Sequence, residues 1–287
     1  MSYVIGVDIG GTTIKAGLFS RNLELLKKTE IATESDKGQK KVVSNILDAI
    51  SLVFDKKVVA IGVGSPGPLD AKKGIILNPV NLPLRNVSIK KIIEEKFRRK
   101  TILENDASSF ALGHALKGQG KNKSVVLGIT IGTGIGGGLV IDKHLYRGRG
   151  NALEIGHTTI KFDGNHSLAG NRGSIESYIS SAAIKKGPGK NSSSFEIFKR
   201  AEKGSKEAKR IFNDMGFYLG IFVTNMLYTF DPDIIIIGGK RANAWHYFEK
   251  EMMKQVKIRY FGKPCPIVKS KIKGMGMVGA AALANKA

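Results

Sequence analysis

Two stretches of the chain share one pattern, in which a continuous apolar run enters a glycine-rich turn and a second apolar run follows it. Short apolar runs bounded by glycine are typical of buried strands, so each stretch is predicted to form a hairpin. The predicted strands are residues 3–9, 14–19, 125–131 and 139–141, and the predicted turns are residues 10–13 and 132–138. Because the unit occurs twice, the sequence indicates a duplicated α/β architecture.

The rest of the chain alternates helical periodicity with further short buried runs. Helices are predicted at residues 40–54, 89–97, 107–116 and 274–287 and over most of 195–230, and strands at 58–63, 101–103 and 234–237. Residues 144–176 are rich in loop-forming residues. This alternation of strands and helices favours an α/β fold, and we place a hinge after Asp106.

The composition is that of an ordinary globular protein, since 42% of the 287 residues are hydrophobic and 7% are aromatic. No run approaches the ~18 consecutive apolar residues of a membrane-spanning helix, and the N-terminus enters a predicted strand without the features of a signal peptide. A single cysteine, Cys265, excludes an intrachain disulfide and favours a reducing compartment. We therefore expect a cytoplasmic protein with no membrane partner.

The charge is strongly basic, with 46 Lys and Arg against 24 Asp and Glu and a net charge of +22. Such an excess is typical either of proteins that attract nucleic acid or another polyanion, or of a basic solvated surface. It is densest in residues 90–100, 185–210 and 250–273, where glutamates interrupt most of it and no nucleic-acid-reading motif occurs. We therefore expect a basic surface and no specific nucleic-acid partner.

The two glycine-rich turns are candidates for phosphate binding, because backbone N–H groups can approach a phosphate where side chains are missing. Glycines that only close a hairpin would give the same pattern. Asp8, an acid at the strand end beside the first turn, favours phosphate binding because its carboxylate can hold Mg²⁺ directly or through water. The chain has no Walker A loop, and its Gly132-x-Gly134-x-x-Gly137 stretch precedes a predicted strand instead of the helix of a dinucleotide-binding fingerprint.

Four motifs follow one another along the chain. They are Asp8-Ile9-Gly10-Gly11-Thr12, Leu103-Glu104-Asn105-Asp106, Gly132-Thr133-Gly134-Ile135-Gly136-Gly137-Gly138 and Glu154-Ile155-Gly156-His157. In this order and spacing they resemble the ROK family (repressor, open reading frame, kinase), and the resemblance covers nearly the whole chain. It implies the actin-like ATPase (ribonuclease H-like) fold, an α/β fold with two lobes around a central cleft. The lobes would be residues 1–106, joined by the terminal helix 274–287, and residues 107–273.

The resemblance also implies that Asp106 is the general base that takes the proton from a hexose hydroxyl during phosphoryl transfer. A position at a strand end, where open α/β sheets place ligands, agrees with that role. Without the resemblance, an aspartate at this point would favour a helix N-cap. The residues implied to bind the sugar are Gly67, Asn81, Asn105, Asp106, Glu154, His157 and Glu176.

For the phosphoryl donor, the resemblance implies ATP with Mg²⁺. The glycine turns would hold the phosphates, Asp8 the Mg²⁺, and the glycines after strand 234–237 the nucleoside. The donor residues are Asp8, Gly10, Gly11, Thr12, Thr13, Lys15, Gly132, Thr133, Gly134, Gly238 and Gly239. The net charge of +22 would also suit polyphosphate as donor, whereas the nucleoside segment favours ATP.

The chain departs from the family in the segment that follows His157. Family members usually carry C-x-C-G-x-x-G-C-x-E there, and those cysteines bind structural zinc together with the histidine. In this chain Ser167, Ala169 and Ser174 stand at the cysteine positions, while the glycines and Glu176 persist. Because serine hydroxyls are poor zinc ligands, we expect no zinc site and a His157 that can contact the sugar.

The resemblance therefore implies a hexose kinase of carbohydrate metabolism and glycolysis, most readily one that forms glucose 6-phosphate. Fructose, mannose or N-acetylmannosamine could replace glucose as substrate. A repressor of this family would carry a helix-turn-helix domain before Asp8, which only seven residues precede here. A non-catalytic sugar sensor would be expected to lose Asp106 or the phosphate glycines. The resemblance further implies a homo-oligomer, either a dimer or a tetramer.

Overall fold

The computed structural model describes residues 2–150, 153–167, 170–186 and 192–286, without the side chains of residues 182, 185 and 186. The chain forms two compact units. The first contains Met1–Ser124, Gly138–Ala152 and Lys271–Ala287, and the second contains Val125–Gly137 and Leu153–Ser270. The lobe boundary expected after Asp106 stays a prediction, and the helix that begins there belongs to the first unit.

The elements alternate along the chain as an α/β fold requires. The strands are β1 Tyr3–Ile9, β2 Thr13–Ser20, β3 Leu25–Ala32, β4 Val58–Ser65, β5 Leu69–Asp70, β6 Ile75–Ile76, β7 Lys100–Asn105, β8 Val125–Ile131, β9 Ile135–Ile141, β10 His144–Tyr146, β11 Ile234–Gly238 and β12 Ile267–Lys269. The helices are α1 Gln39–Val53, α2 Ile89–Phe97, α3 Asp106–Lys117, α4 Glu176–Ile179, α5 Ser181–Lys186, α6 Ser194–Glu202, α7 Lys206–Phe230, α8 Trp245–Arg259 and α9 Met275–Asn285. None of the helices in the described ranges combines the length and apolar character that crossing a lipid bilayer requires.

β1 lies at the centre of the first unit's sheet, whose strand order is β3-β2-β1-β4-β7. It pairs antiparallel with β2 and parallel with β4, so that Asp8 lies opposite Lys15 on one side and Gly64 on the other. β4 runs parallel to β7, and Ser65 lies opposite Asn105. Since parallel strands end at the same edge of a sheet, Asp8 and Asn105 are brought to one edge of the first unit.

The two faces of this sheet are covered by different helices. α1 and α2 bury Ile46 and Ile93 against one face in the main apolar core. α9 covers the other face at very close range, because a Cβ on Gly62 of β4 would lie only 1.8 Å from the carbonyl oxygen of Ala280. α9 also packs against α3, where a Cβ on Gly279 would lie 1.8 Å from the Ser109 carbonyl oxygen. Glycines at these contacts therefore let α9 pack closely against both the sheet and α3, the helix that begins at Asp106.

The second sheet has the order β10-β9-β8-β11-β12. β11 lies parallel to both β8 and β12, and its last residue, Gly238, lies opposite Thr130 near the end of β8. All residues of β11 are buried, as expected for a parallel strand covered on both faces. The ends of β8 and β11 therefore place the turn that begins at Gly132 and the Gly238-Gly239 pair side by side.

The second glycine turn is shorter than the sequence predicted. β9 begins at Ile135, so the predicted turn over 132–138 and the predicted strand over 139–141 are wrong at their shared boundary. The strand glycines make room for neighbours, since a Cβ on Gly137 would lie 2.4 Å from the side chain of Ile155. The turn is thereby confined to residues 132–134, where the Gly132 N–H donates to the Gly134 carbonyl at 2.9 Å.

Candidate active site

Asn105 and Asp106 lie at the junction of β7 and α3 in the first unit. The N-cap of α3 is Asn105, whose side-chain oxygen accepts hydrogen bonds from the N–H groups of Ala107 and Ser108 at 2.9 and 3.0 Å. Asp106 is the first residue of the helix, and its Oδ1 accepts from the Ala107 N–H at 2.8 Å. Because Asn105 satisfies the exposed helix N–H groups, helix capping does not by itself account for an aspartate at position 106.

Glu104, the residue before Asn105, stabilises this junction. It was not predicted from the sequence as a site residue. Its side chain is buried, and its two carboxylate oxygens have different partners. Oε1 accepts from the Asn105 N–H at 3.0 Å, and Oε2 accepts from Nε of Arg147 at 2.7 Å. The arginine and the backbone N–H compensate the charge of the buried carboxylate, so these hydrogen bonds stabilise the end of β7.

Asp8 ends β1 beside the N-terminus of α9. A Cβ on Gly276 would lie 2.8 Å from Oδ2 of Asp8, so the first turn of α9 lies directly against the carboxylate. Burial raises the pKa of the Asp8 carboxyl, while the nearby Lys15 lowers it and Glu30 raises it. A carboxylate that is costly to ionise gains from a cation, which suits a Mg²⁺ ligand.

The first glycine turn has its carbonyl groups tied to the segment that follows β3. The Gly10 carbonyl accepts from Oγ1 of Thr33 at 2.6 Å, and the Gly11 carbonyl accepts from Oγ of Ser35 at 2.8 Å. Because a trans peptide points its N–H opposite to its carbonyl, the N–H groups that follow these carbonyls face the other side of the turn. Thr12 and Thr13 continue this turn into β2, which begins at Thr13.

Of the remaining sugar-binding candidates in the first unit, Asn81 lies next to this turn. A Cβ on Gly11 would lie 3.1 Å from the Asn81 carbonyl oxygen and 3.3 Å from its side-chain nitrogen. Gly67 lies after β4, in the loop that precedes Pro68. In the first unit, Asn81 therefore lies beside the turn that holds predicted donor residues, and Asp8 and Asn105 lie at one sheet edge.

In the second unit, the Gly132 turn lies beside the Gly238-Gly239 pair, as the strand order requires. Gly239 has a positive φ of 87°, and a Cβ there would lie 2.4 Å from the Ile131 carbonyl oxygen. The Gly132 carbonyl accepts two hydrogen bonds from Ser181, one from its N–H at 3.0 Å and one from its hydroxyl at 2.8 Å. Ser181 was not predicted from the sequence, because nothing local distinguishes it from other helix-starting serines.

Glu176 and the segment that carries Glu154 and His157 both reach Ile135, the first residue after the Gly132 turn. Oε2 of Glu176 accepts from the Ile135 N–H at 2.9 Å. Gly156 packs so closely that a Cβ there would lie 2.3 Å from the Ile135 carbonyl oxygen. Its neighbours Glu154 and His157 are both about half exposed, with Nε2 of His157 3.8 Å from Oε2 of Glu154. The segment 154–157 and Glu176 therefore lie beside the Gly132 turn, the predicted phosphate-binding turn.

Hydrogen bonds hold the segment after His157, where the family's zinc motif would lie. Nδ2 of Asn171 donates to the His157 carbonyl at 2.7 Å, and the Ser167 N–H donates to the Asn171 carbonyl at 2.8 Å. Ser174, at another cysteine position, pairs its hydroxyl with that of Ser177 at 2.9 Å. Ala169 lies outside the described residues. Within the described ranges, no group of three or more His, Cys, Asp or Glu residues could hold a metal ion.

The chain resembles one protein family over nearly its whole length. The ROK family model matches residues 4–287 of the chain. The chain is 29% identical to the glucokinase of Thermotoga maritima, across 98% of this chain and 96% of that protein. It is 27% identical to the xylose repressor of Caldicellulosiruptor bescii, across 90% of this chain and 71% of that protein.

Among solved structures, the chain is similar to a ROK family glucokinase from Streptomyces griseus in complex with glucose and AMPPNP. The TM-score is 0.85 at 28% identity, and the match covers 100% of both chains. The expected actin-like ATPase fold is thereby confirmed. The relatives include sugar kinases as well as a repressor, so the chemistry of this chain has to be argued from its own residues.

Proposed function

Because the chain belongs to the ROK family, we propose that it is an ATP-dependent hexose kinase in which Asp106 is the general base. The observation that carries this proposal is that helix capping at the start of α3 is performed by Asn105 and not by Asp106. Asn105 caps the helix and the Glu104–Arg147 pair fixes the strand before it, so Asp106 is held at a sheet edge in a polar, hydrogen-bonded setting. A repressor or a sugar sensor needs the sugar contacts but has no use for a base at this position.

Asp106 would accept the proton of the hexose hydroxyl as that oxygen attacks the terminal phosphorus of the donor. The sugar contacts proposed from the family's motifs are Asn81, Asn105, Glu154, His157 and Glu176. Such contacts place the hydroxyl within reach of its partner, and orientation supplies a large part of the rate in reactions of this kind. Glu176 has a second role, because it also holds the Ile135 N–H and so couples the sugar contacts to the phosphate turn.

The donor would be held by the backbone N–H groups of the two glycine turns, with the nucleoside against Gly238 and Gly239. Asp8 would hold Mg²⁺, directly or through water, and the bound ion would neutralise charge that develops on the transferred phosphoryl group. The side chain of Asp8 fits such an ion because burial disfavours its ionised form in the absence of a cation. Lys15, which faces Asp8 across the β1–β2 pair, adds positive charge for the phosphates.

Glucose is the proposed hexose, and the glucokinases among the relatives support it. The proposal is tested by a panel that offers glucose, fructose, mannose and N-acetylmannosamine, each with ATP and with polyphosphate as donor. Formation of glucose 6-phosphate with ATP supports both assignments. Turnover with polyphosphate alone would overturn the donor while leaving the kinase in place. No phosphorylation of any sugar by either donor would overturn the kinase and favour a sensor or repressor.

A further inference from the structure

Arg241 is a buried cation of the second unit. Ser181 links it to the Gly132 turn, residues 132–134, which is the proposed phosphate-binding turn. Arg241 lies in the 3₁₀ turn Lys240–Ala244 after β11, and its side chain is only 4% exposed. Burial lowers its pKa to about 10, so the guanidinium is still charged at neutral pH. No aspartate or glutamate of the described residues pairs with it, and the sequence places every acidic residue of the chain within the described ranges. A buried charge without a counterion is costly, so its retention calls for a reason.

All the partners of Arg241 in the described residues receive hydrogen bonds from it. Nε donates to Oγ of Ser181 at 3.2 Å, and Nη2 donates to Oγ of Ser194 at 2.8 Å. Nη1 contacts the sulfur of Met215 at 3.9 Å. The Ser194 hydroxyl in turn donates to Oγ of Ser181 at 3.0 Å. Since a guanidinium has only donors, the Ser181 oxygen accepts from Arg241, and it also accepts from Ser194 because its own O–H donates to the Gly132 carbonyl, which can only accept.

The direction of these hydrogen bonds leaves the single O–H of Ser181 for one acceptor. That acceptor is the Gly132 carbonyl at 2.8 Å, which also receives the Ser181 N–H at 3.0 Å. Two donors therefore hold this carbonyl toward the protein interior. Because the peptide is planar and trans, the N–H of Thr133 points the opposite way, away from Ser181 and Arg241. A phosphate oxygen on that side would meet an N–H group whose orientation is already fixed.

We propose that Arg241 is a positioning residue for the phosphoryl donor, which orients the Gly132–Thr133 peptide through Ser181 and adds a buried positive charge behind it. The ligand it serves is the phosphate chain of a nucleoside triphosphate bound at the Gly132 turn. This inference rests on the proposed kinase function. The absence of an acidic partner fits such a role, because a carboxylate beside Arg241 would cancel the charge that favours an anion nearby.

The test measures the KM values for ATP and glucose, and the equilibrium affinity for Mg²⁺-ATP, in wild type and three variants. Arg241→Met removes the charge at similar length, Arg241→Lys keeps the charge without the planar fork, and Ser181→Ala removes the hydroxyl that links Arg241 to the turn. Arg259→Met is the matched control, because Arg259 lies exposed at the end of α8, where its guanidinium is over the ring of Phe217. It removes the same charge from the same unit without touching the turn.

We expect Arg241→Met and Ser181→Ala to raise the KM for ATP by roughly tenfold, with the KM for glucose within about twofold of wild type. Arg241→Lys should recover part of this loss, and Arg259→Met should show none of it. A role in packing alone would lower the melting temperature of Arg241→Met without separating the two KM values. If Arg241→Met does not fold, Ser181→Ala and Arg241→Lys carry the test.

The outcomes separate this inference from the proposed function. A wild-type kinase whose KM for ATP is unchanged in Ser181→Ala and in the folded Arg241 variants would overturn the role of Arg241 and leave the kinase intact. A wild type that binds Mg²⁺-ATP but phosphorylates no hexose would overturn the kinase, and weaker ATP binding in the variants would still support the role of Arg241. A wild type that does not bind ATP would overturn both.

Discussion

The side chain of Asn105 caps the helix that begins at Asp106. Helix capping and the proposed role of general base therefore belong to two neighbouring residues instead of to one aspartate. Oδ1 of Asn105 takes the N–H groups of Ala107 and Ser108. Asp106 is thereby placed on the first turn of α3, where the helix dipole favours its negative charge. Helix capping and the proposed proton transfer at this junction can therefore be measured on different residues.

The first prediction uses this separation. Asn105→Ala should lower the free energy of unfolding by about 1 kcal/mol, because the Ser108 N–H loses its acceptor and the Ala107 N–H keeps only Oδ1 of Asp106. It should also raise the KM for glucose, since the amide is a proposed sugar contact. Asn105→Asp keeps a capping oxygen and should recover the stability but not the KM. Denaturant unfolding and steady-state kinetics on both variants check this, and an Asp variant with a wild-type KM for glucose would remove Asn105 from the sugar site.

The second prediction concerns Asp8. Burial raises the pKa of its carboxyl above the ordinary value of 3.8. The folded protein then holds this proton to higher pH than the unfolded chain, so stability is lost as the pH rises from about 4 through the pKa of the folded state. Asp8→Asn should therefore raise the melting temperature at pH 7 in the absence of nucleotide and Mg²⁺, and the gain should shrink near pH 3.

The same variant should lose the stabilisation that Mg²⁺-ATP gives to the wild type, because the proposed metal ligand is gone. Thermal melts at both pH values, with and without Mg²⁺-ATP, measure the two effects together. An Asp8→Asn protein that is less stable than wild type at pH 7, or that is stabilised by Mg²⁺-ATP to the same extent, would contradict the assignment.

The third prediction is a loss of stability in mild acid through His114. Burial lowers the pKa of this histidine from 6.5 to about 4, and its ring packs edge-on against Phe110. The unfolded chain takes up a proton below pH 6.5 and the folded protein does so only near pH 4, so stability that is complete above pH 6.5 is lost as the pH falls through this window. The full difference amounts to about 3 kcal/mol.

Urea unfolding at pH 7 and pH 5 checks this prediction. His114→Asn should be less stable than wild type at pH 7 and should lose less stability than wild type between the two pH values. His144→Asn is the matched control, because His144 is exposed, and it should show the wild-type dependence. An unchanged pH dependence in His114→Asn would show that other groups account for the acid sensitivity.

The fourth prediction concerns metals and the segment after His157. The purified protein should contain no stoichiometric zinc and should require Mg²⁺ for turnover, because the cysteine positions hold Ser167, Ala169 and Ser174. Asn171→Ala should raise the KM for glucose more than the KM for ATP, because it frees the His157 carbonyl. Asn225→Ala, at an exposed position of α7, is the control. One tightly bound zinc per chain in elemental analysis would refute the first part.

The strands and helices that could be predicted from the sequence are those bounded by strong local signals. β1, β8 and α2 begin and end at the predicted residues, because glycine turns limit the two strands and helical periodicity defines α2. β3 could not be predicted, since it is an edge strand whose first two leucines are about half exposed and whose pattern is broken by lysines. The extent of the Gly132 turn also escaped prediction, because strand glycines required by packing resemble turn glycines.

Several residues of the candidate site could be singled out from the sequence because they lie in short motifs, and their roles stay predictions. Asp8, Asp106 and Glu154 belong to such motifs, and the resemblance to the family identifies them. The residues that support them do not, because their partners are remote along the chain. Arg147 is 43 residues from Glu104, and Arg241 is 60 residues from Ser181, so only the folded chain shows that each pair is in contact.

The most direct test of the central claim compares Asp106→Asn with wild type in the formation of glucose 6-phosphate from saturating glucose and ATP, with glucose affinity measured on the same samples. Asparagine keeps the shape of the side chain but cannot take the proton. The proposed role therefore predicts a fall in kcat of roughly 10²–10⁴-fold, with glucose affinity within a few-fold of wild type. An Asp106→Asn protein that turns over at nearly the wild-type rate would contradict the role of Asp106 as the general base.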